Sequence, residues 1–368
     1  MLNIVGTLTA TTHIHQTDPN REGNLSRTIK THLWDVDRIR REVPIVTANS
    51  VRGLLRRAAA DVTLEAIGKP VSREVFSVLT TGKASKKDIG YQPTTKVLVD
   101  GGKHIFAGLF GGGGYMLPSR YGMSTIVPIV EWCDPLLHPS LRDRAIPKDR
   151  LSYEIKSGAD QGRVFDVPLV TQLILTSRDD VLAGKGQQFI EDYQQSVDAW
   201  IERVTSGRVA KDTSKAEIKA AKDRGEKSSG VAKEVGVDVS GYNLIEAMLP
   251  GTPLQFWMRL NPKVTPAQVG LMLMAIRNWA NANVLGGASA RGFGRFNADL
   301  WLHDDRQPHP VSLFGHGDHV ASYDLNTELR HYLDAANAEL GSLDIAQIET
   351  VYGTKLAKSK KLAESKDG

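Results

Sequence analysis

Residues 252–303 read TPLQFWMRLNPKVTPAQVGLMLMAIRNWANANVLGGASARGFGRFNADLWLH, and they divide into strand, helix, glycine-rich loop and strand. TPLQFWMRL (252–260) is an apolar strand. A helix follows from about Pro266 to Asn283. Thr265 is its cap, and Pro266 takes the first helical position, where a missing N–H loses no hydrogen bond. Val269, Met272, Leu273, Ile276 and Ala280 recur at helical spacing and form its buried face. Gly286–Arg295 (GGASARGFGR) ends the helix, and a strand runs on to about His303.

A similar pair opens the chain. Leu2, Ile4, Gly6 and Leu8 alternate with Asn3, Val5, Thr7 and Thr9, which reads as a strand. His15–Ser26 is polar and turn-rich, and 27–46 is extended and heavily charged. Thr47, Asn49 and Ser50 are candidate caps for a helix whose stripe is Val51, Leu54, Leu55, Ala58, Ala59 and Val62. Residues 68–125 read as irregular, with extended segments expected at 124–132 and 164–176. A helical pattern covers 178–202. The charged, Ser- and Gly-rich stretch 203–238 has too little apolar surface to fold alone. An amphipathic helix at 325–340 precedes a basic tail. The order strand, helix, strands, insertion, strand, helix, strand fits an α+β fold of the split β-α-β kind, with helices segregated on an antiparallel sheet.

The composition, 41% hydrophobic and 24% charged, is that of a globular chain. A net charge of +4 permits a polyanionic partner without demanding one, so the placement of the cations has to decide. One cysteine, Cys133, excludes an intramolecular disulfide and a cysteine-based zinc cluster. With no secretory signal pattern and no membrane-length apolar run, a cytoplasmic protein is expected.

Two constellations carry chemistry. In SVRGLLRR (50–57), Arg52 and Arg56 share one helix face, and Arg52 near a helix N-terminus opposes the macrodipole. An anion there would meet the arginines, free backbone N–H groups and the Ser50 hydroxyl; the alternative is an ordinary solvated basic face. In the loop at 286–295, glycines let backbone approach a phosphate, Arg291 and Arg295 add charge, and Phe293 either packs inward or stacks on a base. The alternative is a glycine turn with a strand bulge. A third stretch, AGLFGGGGY (107–115), reads as a backbone cradle or as a flexible hairpin tip.

The ordered set VPIVTANSVRGLLRR, LFGG and a strand–helix pair ending GGASARGFGRF resembles the RAMP superfamily of CRISPR proteins. Within it the set looks closest to the effector backbone subunits, and among these to the type IV backbone subunit. The resemblance covers most of residues 1–304. It implies a modified ferredoxin-like (RRM-like) palm with inserted thumb and loop segments. On that basis 1–177 plus 239–304 form the palm, 178–238 a helical and charged insertion, and 305–368 a C-terminal helix and tail. It implies a subunit that stacks head-to-tail along CRISPR guide RNA, in a complex with other subunits and the target nucleic acid paired to the guide. No cofactor and no metal are expected, and no membrane. By motif position Ser50, Arg52, Arg56, Gly292, Gly294 and Arg295 lie on the RNA path; Arg291, Lys30 and Arg120 join them on charge.

Some related subunits cleave RNA with an Asp after the first strand. Here Asp18 comes early, Asn24 and Ser26 lie nearest that position, and Asp35 and Asp37 read as ion-paired with neighbouring arginines, so a non-catalytic protein is expected. The runner-up is an endoribonuclease of the same superfamily that cleaves guide precursor or target RNA with His13 and His15 as acid and base. A third reading is a metabolic enzyme that binds a small phosphorylated ligand. Trp257 and Trp279 sit in apolar patterns and are expected in the core.

Overall fold

The computed structural model describes residues 1–19, 25–34, 38–83, 94–147, 150–154, 156, 161–176, 191–195, 198–199, 202, 242–305, 307, 309–315 and 322–354. The insertion at 203–238, most of the helical pattern at 178–202 and the basic tail from 355 lie outside them. The chain forms two compact units, Met1–Asp18 with Thr28–Thr171 and Ala247–Gly368, and Pro19–Arg27 with Gln172–Glu246.

In chain order the elements begin with β1 (Leu2–Ala10), β2 (Leu25–Ser26), β3 (Lys30–Trp34), β4 (Arg40–Pro44) and α1 (Ala48–Ile67). There follow α2 (Arg73–Thr81), α3 (Thr95–Lys103), α4 (Ile105–Phe110), β5 (Tyr121–Met123), α5 (Pro139–Arg142), β6 (Arg150–Glu154) and β7 (Val164–Pro168). The remainder are β8 (Val170–Thr176), β9 (Tyr242–Met248), β10 (Pro253–Leu260), α6 (Pro266–Ala282), β11 (Phe296–Asp304), β12 (Val311–Ser312), α7 (Arg330–Gly341) and α8 (Ile345–Tyr352).

The larger unit is built on a five-stranded sheet of order β12-β11-β1-β10-β5. Every neighbouring pair is antiparallel. The path β1-α1-β5-β10-α6-β11 places its strands in the spatial order fourth, first, third, second. That is the split β-α-β, ferredoxin-like arrangement the sequence predicts. Ile4 and Leu8 of β1, with Phe256, Met258 and Leu300, point into a core shared with Val51, Leu55 and Ala59 of α1 and Met272, Leu273 and Ile276 of α6. Alternation sends Val5 to the other face, where Val43, Val127, Ile129 and Leu141 form a second cluster.

Both main helices start where capping chemistry places them. The Thr47 side chain accepts from Ser50 N, and α1 ends at Gly68 in the left-handed region. Thr265 and Gln268 form a capping box around Pro266. The stretch 68–125, expected irregular, holds α2, α3, α4 and β5. The expected extended segment at 124–132 is a run of single bridges at Ile126, Pro128 and Val130 that leads into a 3₁₀ turn, Glu131–Leu136.

The C-terminal segment packs on the same core. Residues up to 354 belong to the larger unit, with Ala336, Leu340, Ile348 and Tyr352 buried in the main core. The contact is close: a Cβ on Gly270 of α6 would stand 2.0 Å from the carbonyl oxygen of Tyr332 in α7. In the smaller unit Leu25 and Ser26 pair in parallel with Leu244 and Ile245. No helix among the described residues is long and apolar enough to cross a membrane.

Candidate nucleic-acid interface

The glycine-rich loop folds back on the residues that follow β1. Gly287 N donates to His15 O at 2.6 Å and Gly294 N to His13 O at 2.9 Å. Thr11 N donates to Arg295 O at 2.9 Å, and Arg295 N donates to Thr12 Oγ1 at 3.0 Å. Gly292 and Gly294 have φ of 81° and 87°, in the region that favours glycine. A Cβ on Gly294 would come within 2.6 Å of Leu285 O, whereas one on Gly292 would meet nothing within 4 Å. Gly294 is therefore a packing glycine, and Gly292 is an exposed turn beside exposed Arg291. Phe293 is buried, with its ring 5.7 Å from that of His13, so it packs inward rather than offering a stacking face. Arg295 is exposed, and its Nη1 reaches Ala282 O at 3.1 Å and Asn283 O at 3.3 Å, across the carbonyl end of α6.

The start of α1 is tied to the same ledge through Gln16. Its Nε2 donates to Thr47 Oγ1 at 2.9 Å, and its Oε1 accepts from Thr47 N at 2.9 Å. Ser50 thus lies in the first turn of α1, which carries no acidic residue. Ile29 N donates to Gln16 O at 2.8 Å, so the β3–β4 hairpin is also rooted here. Lys30 is its first residue and sits 3.9 Å from Glu42 Oε2. Residues 13–16 thereby hold together three features that sequence reasoning found separately: the glycine loop, the Ser50 turn and the Lys30 strand. Gln16, the joint between them, had no sequence signal, since a glutamine in a polar loop is unremarked until its partners are known.

Chemically this is a ledge of backbone N–H groups and cations. A helix N-terminus free of carboxylates, exposed glycine backbone and the Arg291 and Arg295 guanidiniums suit an anionic chain. No described cluster of His, Cys, Asp or Glu could hold a metal ion.

Three comparisons with known proteins bear on the chain. No family model matches it, and no curated protein does. Among solved structures it is similar to a chain of a Type IV-B CRISPR Complex, with a TM-score of 0.42 and 17% identity over 84% of this chain and 96% of that one.

Arg56 is not on this surface. It is buried, and Nε and Nη2 donate to Leu79 O and Val78 O, each at 2.7 Å. Nη1 and Nη2 also reach Phe110 O and Gly111 O at 3.1 Å. The guanidinium closes the carbonyl ends of α2 and α4, a structural task that corrects its expected place on an anion-binding face. Arg52 and Arg120 lie elsewhere too. Arg52 Nη2 donates to Ser119 Oγ at 3.4 Å, and its guanidinium stands 5.4 Å from the Tyr121 ring centre. Arg120 Nη1 donates to Lys263 O at 2.8 Å. Tyr121 pairs with Leu260, which pairs with Leu2, whereas the glycine loop adjoins Ala10. Arg120 and the glycine loop therefore sit toward opposite ends of β1, while Arg52, two residues after Ser50 on α1, reaches from the ledge side toward Ser119 and Tyr121.

The stretch at 107–115 is neither cradle nor free tip. Gly113 N donates to Gly82 O and Gly114 N to Tyr352 O, and a Cβ on Gly113 would overlap the Tyr352 ring. The two histidines separate. His15 is buried with Nε2 3.0 Å from Thr17 Oγ1, while His13 is half-buried and burial lowers its pKa. Asn24, Asp35 and Asp37 lie outside the described residues. Trp279 is core, its Nε1 donating to Val284 O at 2.8 Å; Trp257 is half-buried on the other sheet face, beside His138.

Proposed function

We propose that this chain is a guide-RNA-binding backbone subunit of a CRISPR effector complex, acting in antiviral or anti-plasmid defence as a scaffold rather than a nuclease. The observation that carries the reading is the convergence, on residues 13–16, of the glycine loop and the α1 N-terminus, two of the three motifs whose order resembles that family. RNA backbone runs across this ledge, held by Arg291, Arg295, the Gly292 turn, the Ser50 turn and Lys30. Its partners are the guide, the target strand paired to it, further copies of the chain and other subunits. Head-to-tail contacts are heterologous, so one repeated interface yields an open filament.

The test is binding of a labelled single-stranded RNA across a salt series, with the RNA recovered afterwards to check its length. Arg291→Ala/Arg295→Ala is expected to weaken binding whatever the RNA sequence, and to reduce the slope of log K against log salt by about 0.7 per arginine. Intact recovered RNA fits a scaffold, and shortened RNA would favour the ribonuclease. An unchanged slope would remove the ledge as the RNA site.

A further inference from the structure

A second basic site lies at the far end of the sheet, where β5 and β10 meet the start of β1. A cleft of about 230 Å³ is lined there by Ser119, Arg120, Tyr121, Gly122, Arg259 and Asn261, among others. Arg259 and Gly122 are direct cross-strand partners in the β10–β5 pairing. Side chains at such positions share a sheet face, so the missing side chain of Gly122 leaves room beside the arginine. A Cβ on Gly122 would meet nothing within 4 Å. Arg259 is exposed, and its Nε has only the thioether sulfur of Met1, at 2.6 Å, as hydrogen-bond acceptor. Thioether sulfur is a weak acceptor.

Arg120 is held in place from behind. Besides Lys263 O, its Nη1 reaches Gln268 Oε1 at 3.3 Å. Gln268 is fully buried and itself fixed by Gly102 O at 3.0 Å and His104 O at 3.1 Å. A Cβ on Gly102 would stand 2.6 Å from Arg120 Nη2, so a glycine there makes space for the guanidinium. Arg52 reaches the Ser119 wall, and its Nε is buried with no hydrogen-bond partner. Arg52, Arg120 and Arg259 have no ion-pair partner among the described residues, although nearby Met1 ammonium is engaged by Asp305 at 3.0 Å. A cleft with two arginines on its walls, a third behind and no carboxylate among its lining residues is built for an anion.

We propose that this cleft holds one backbone phosphate of the bound nucleic-acid strand, as a second contact point separate from the glycine-loop ledge. The source of the phosphate rests on the function proposed above; the pocket itself rests on its own geometry.

The experiment measures anisotropy of a labelled single-stranded RNA with the full chain over a sodium chloride series. Arg259→Gln is expected to weaken binding and reduce the salt slope by about 0.7. Gly122→Glu, which sets a carboxylate opposite Arg259, is expected to do the same or more, while Gly122→Gln stays near the parent. Unchanged slopes for Arg259→Gln and Gly122→Glu, alongside a reduced slope for Arg291→Ala/Arg295→Ala, would overturn the pocket and leave the scaffold reading standing. Equal losses in Gly122→Glu and Gly122→Gln would overturn the electrostatic basis. Full protection of the parent from RNA by inorganic phosphate at equal phosphate concentration would assign the cleft to free phosphate and overturn the strand contact. A parent chain that binds no RNA overturns both proposals.

Discussion

Arg56 and Arg52 are one turn apart on α1, and the structure gives them different surroundings. Arg56 is 9% exposed and its guanidinium donates to four main-chain carbonyls, so its charge meets the negative ends of two helices rather than a ligand. Removing it strands several buried acceptors. Arg56→Met is expected to lower unfolding free energy by on the order of 3 kcal/mol, read by urea denaturation. Arg56→Lys should recover only part of this, because a single ammonium cannot span the fork. A spacing argument puts two arginines on one face, but it is blind to what packs above that face. Arg259 shows the converse. The alternation of TPLQFWMRL, with Leu254, Phe256, Met258 and Leu260 buried, makes Arg259 an outward residue readable in advance. Its partner Gly122 belongs to a short strand whose register no local pattern encodes.

At the scale of elements, the glycine loop makes a contrast that sequence cannot. Gly292 and Gly294 both have positive φ, yet only Gly294 is pressed against backbone. Gly292→Ala should cost about 1 kcal/mol, the left-handed strain alone. Gly294→Ala should cost clearly more, because its Cβ would meet the Leu285 carbonyl, whose backbone cannot yield as a side chain does. Paired thermal melts of the two variants check the order. The helices α1 and α6 are legible because each has a cap, a one-sided apolar stripe and enough turns for the period to show. The short α4, IFAGLF, is buried at every position, so it has no polar side to reveal a period. Its cap is His104, a residue rarely read as a helix start, whose Nδ1 accepts from Phe106 N and Ala107 N.

At the scale of the molecule, that cap makes stability depend on acid. Burial pushes His104 down to about 4 from its ordinary 6.5, and its Nε2 is buried without a hydrogen-bond partner. The folded state keeps the ring neutral while the unfolded chain takes up a proton below 6.5. Stability from this group is therefore whole above that pH, falls as pH drops from about 6.5, and has lost on the order of 3 kcal/mol by about pH 4. His104→Asn keeps a capping acceptor without titrating there. Its urea midpoint should decline less steeply over the same range than that of the parent. Most of the ferredoxin-like order was legible because β1, α1, β10, α6 and β11 are long, whereas its second strand, the three-residue β5, was not, and neither was the C-terminal contribution to the core, since the close Gly270–Tyr332 contact depends on two segments far apart in the chain.

The rims of the five-stranded sheet are nearly blunt: β5 is three residues long and β12 two. Long, flat rims invite sideways strand addition and aggregation. A protein proposed to crowd many copies onto one RNA meets those conditions at its own working concentration. With so little unpaired backbone on either rim of this sheet, sideways zippering finds almost no template, and growth along the RNA is left to side-chain surfaces that evolution can tune.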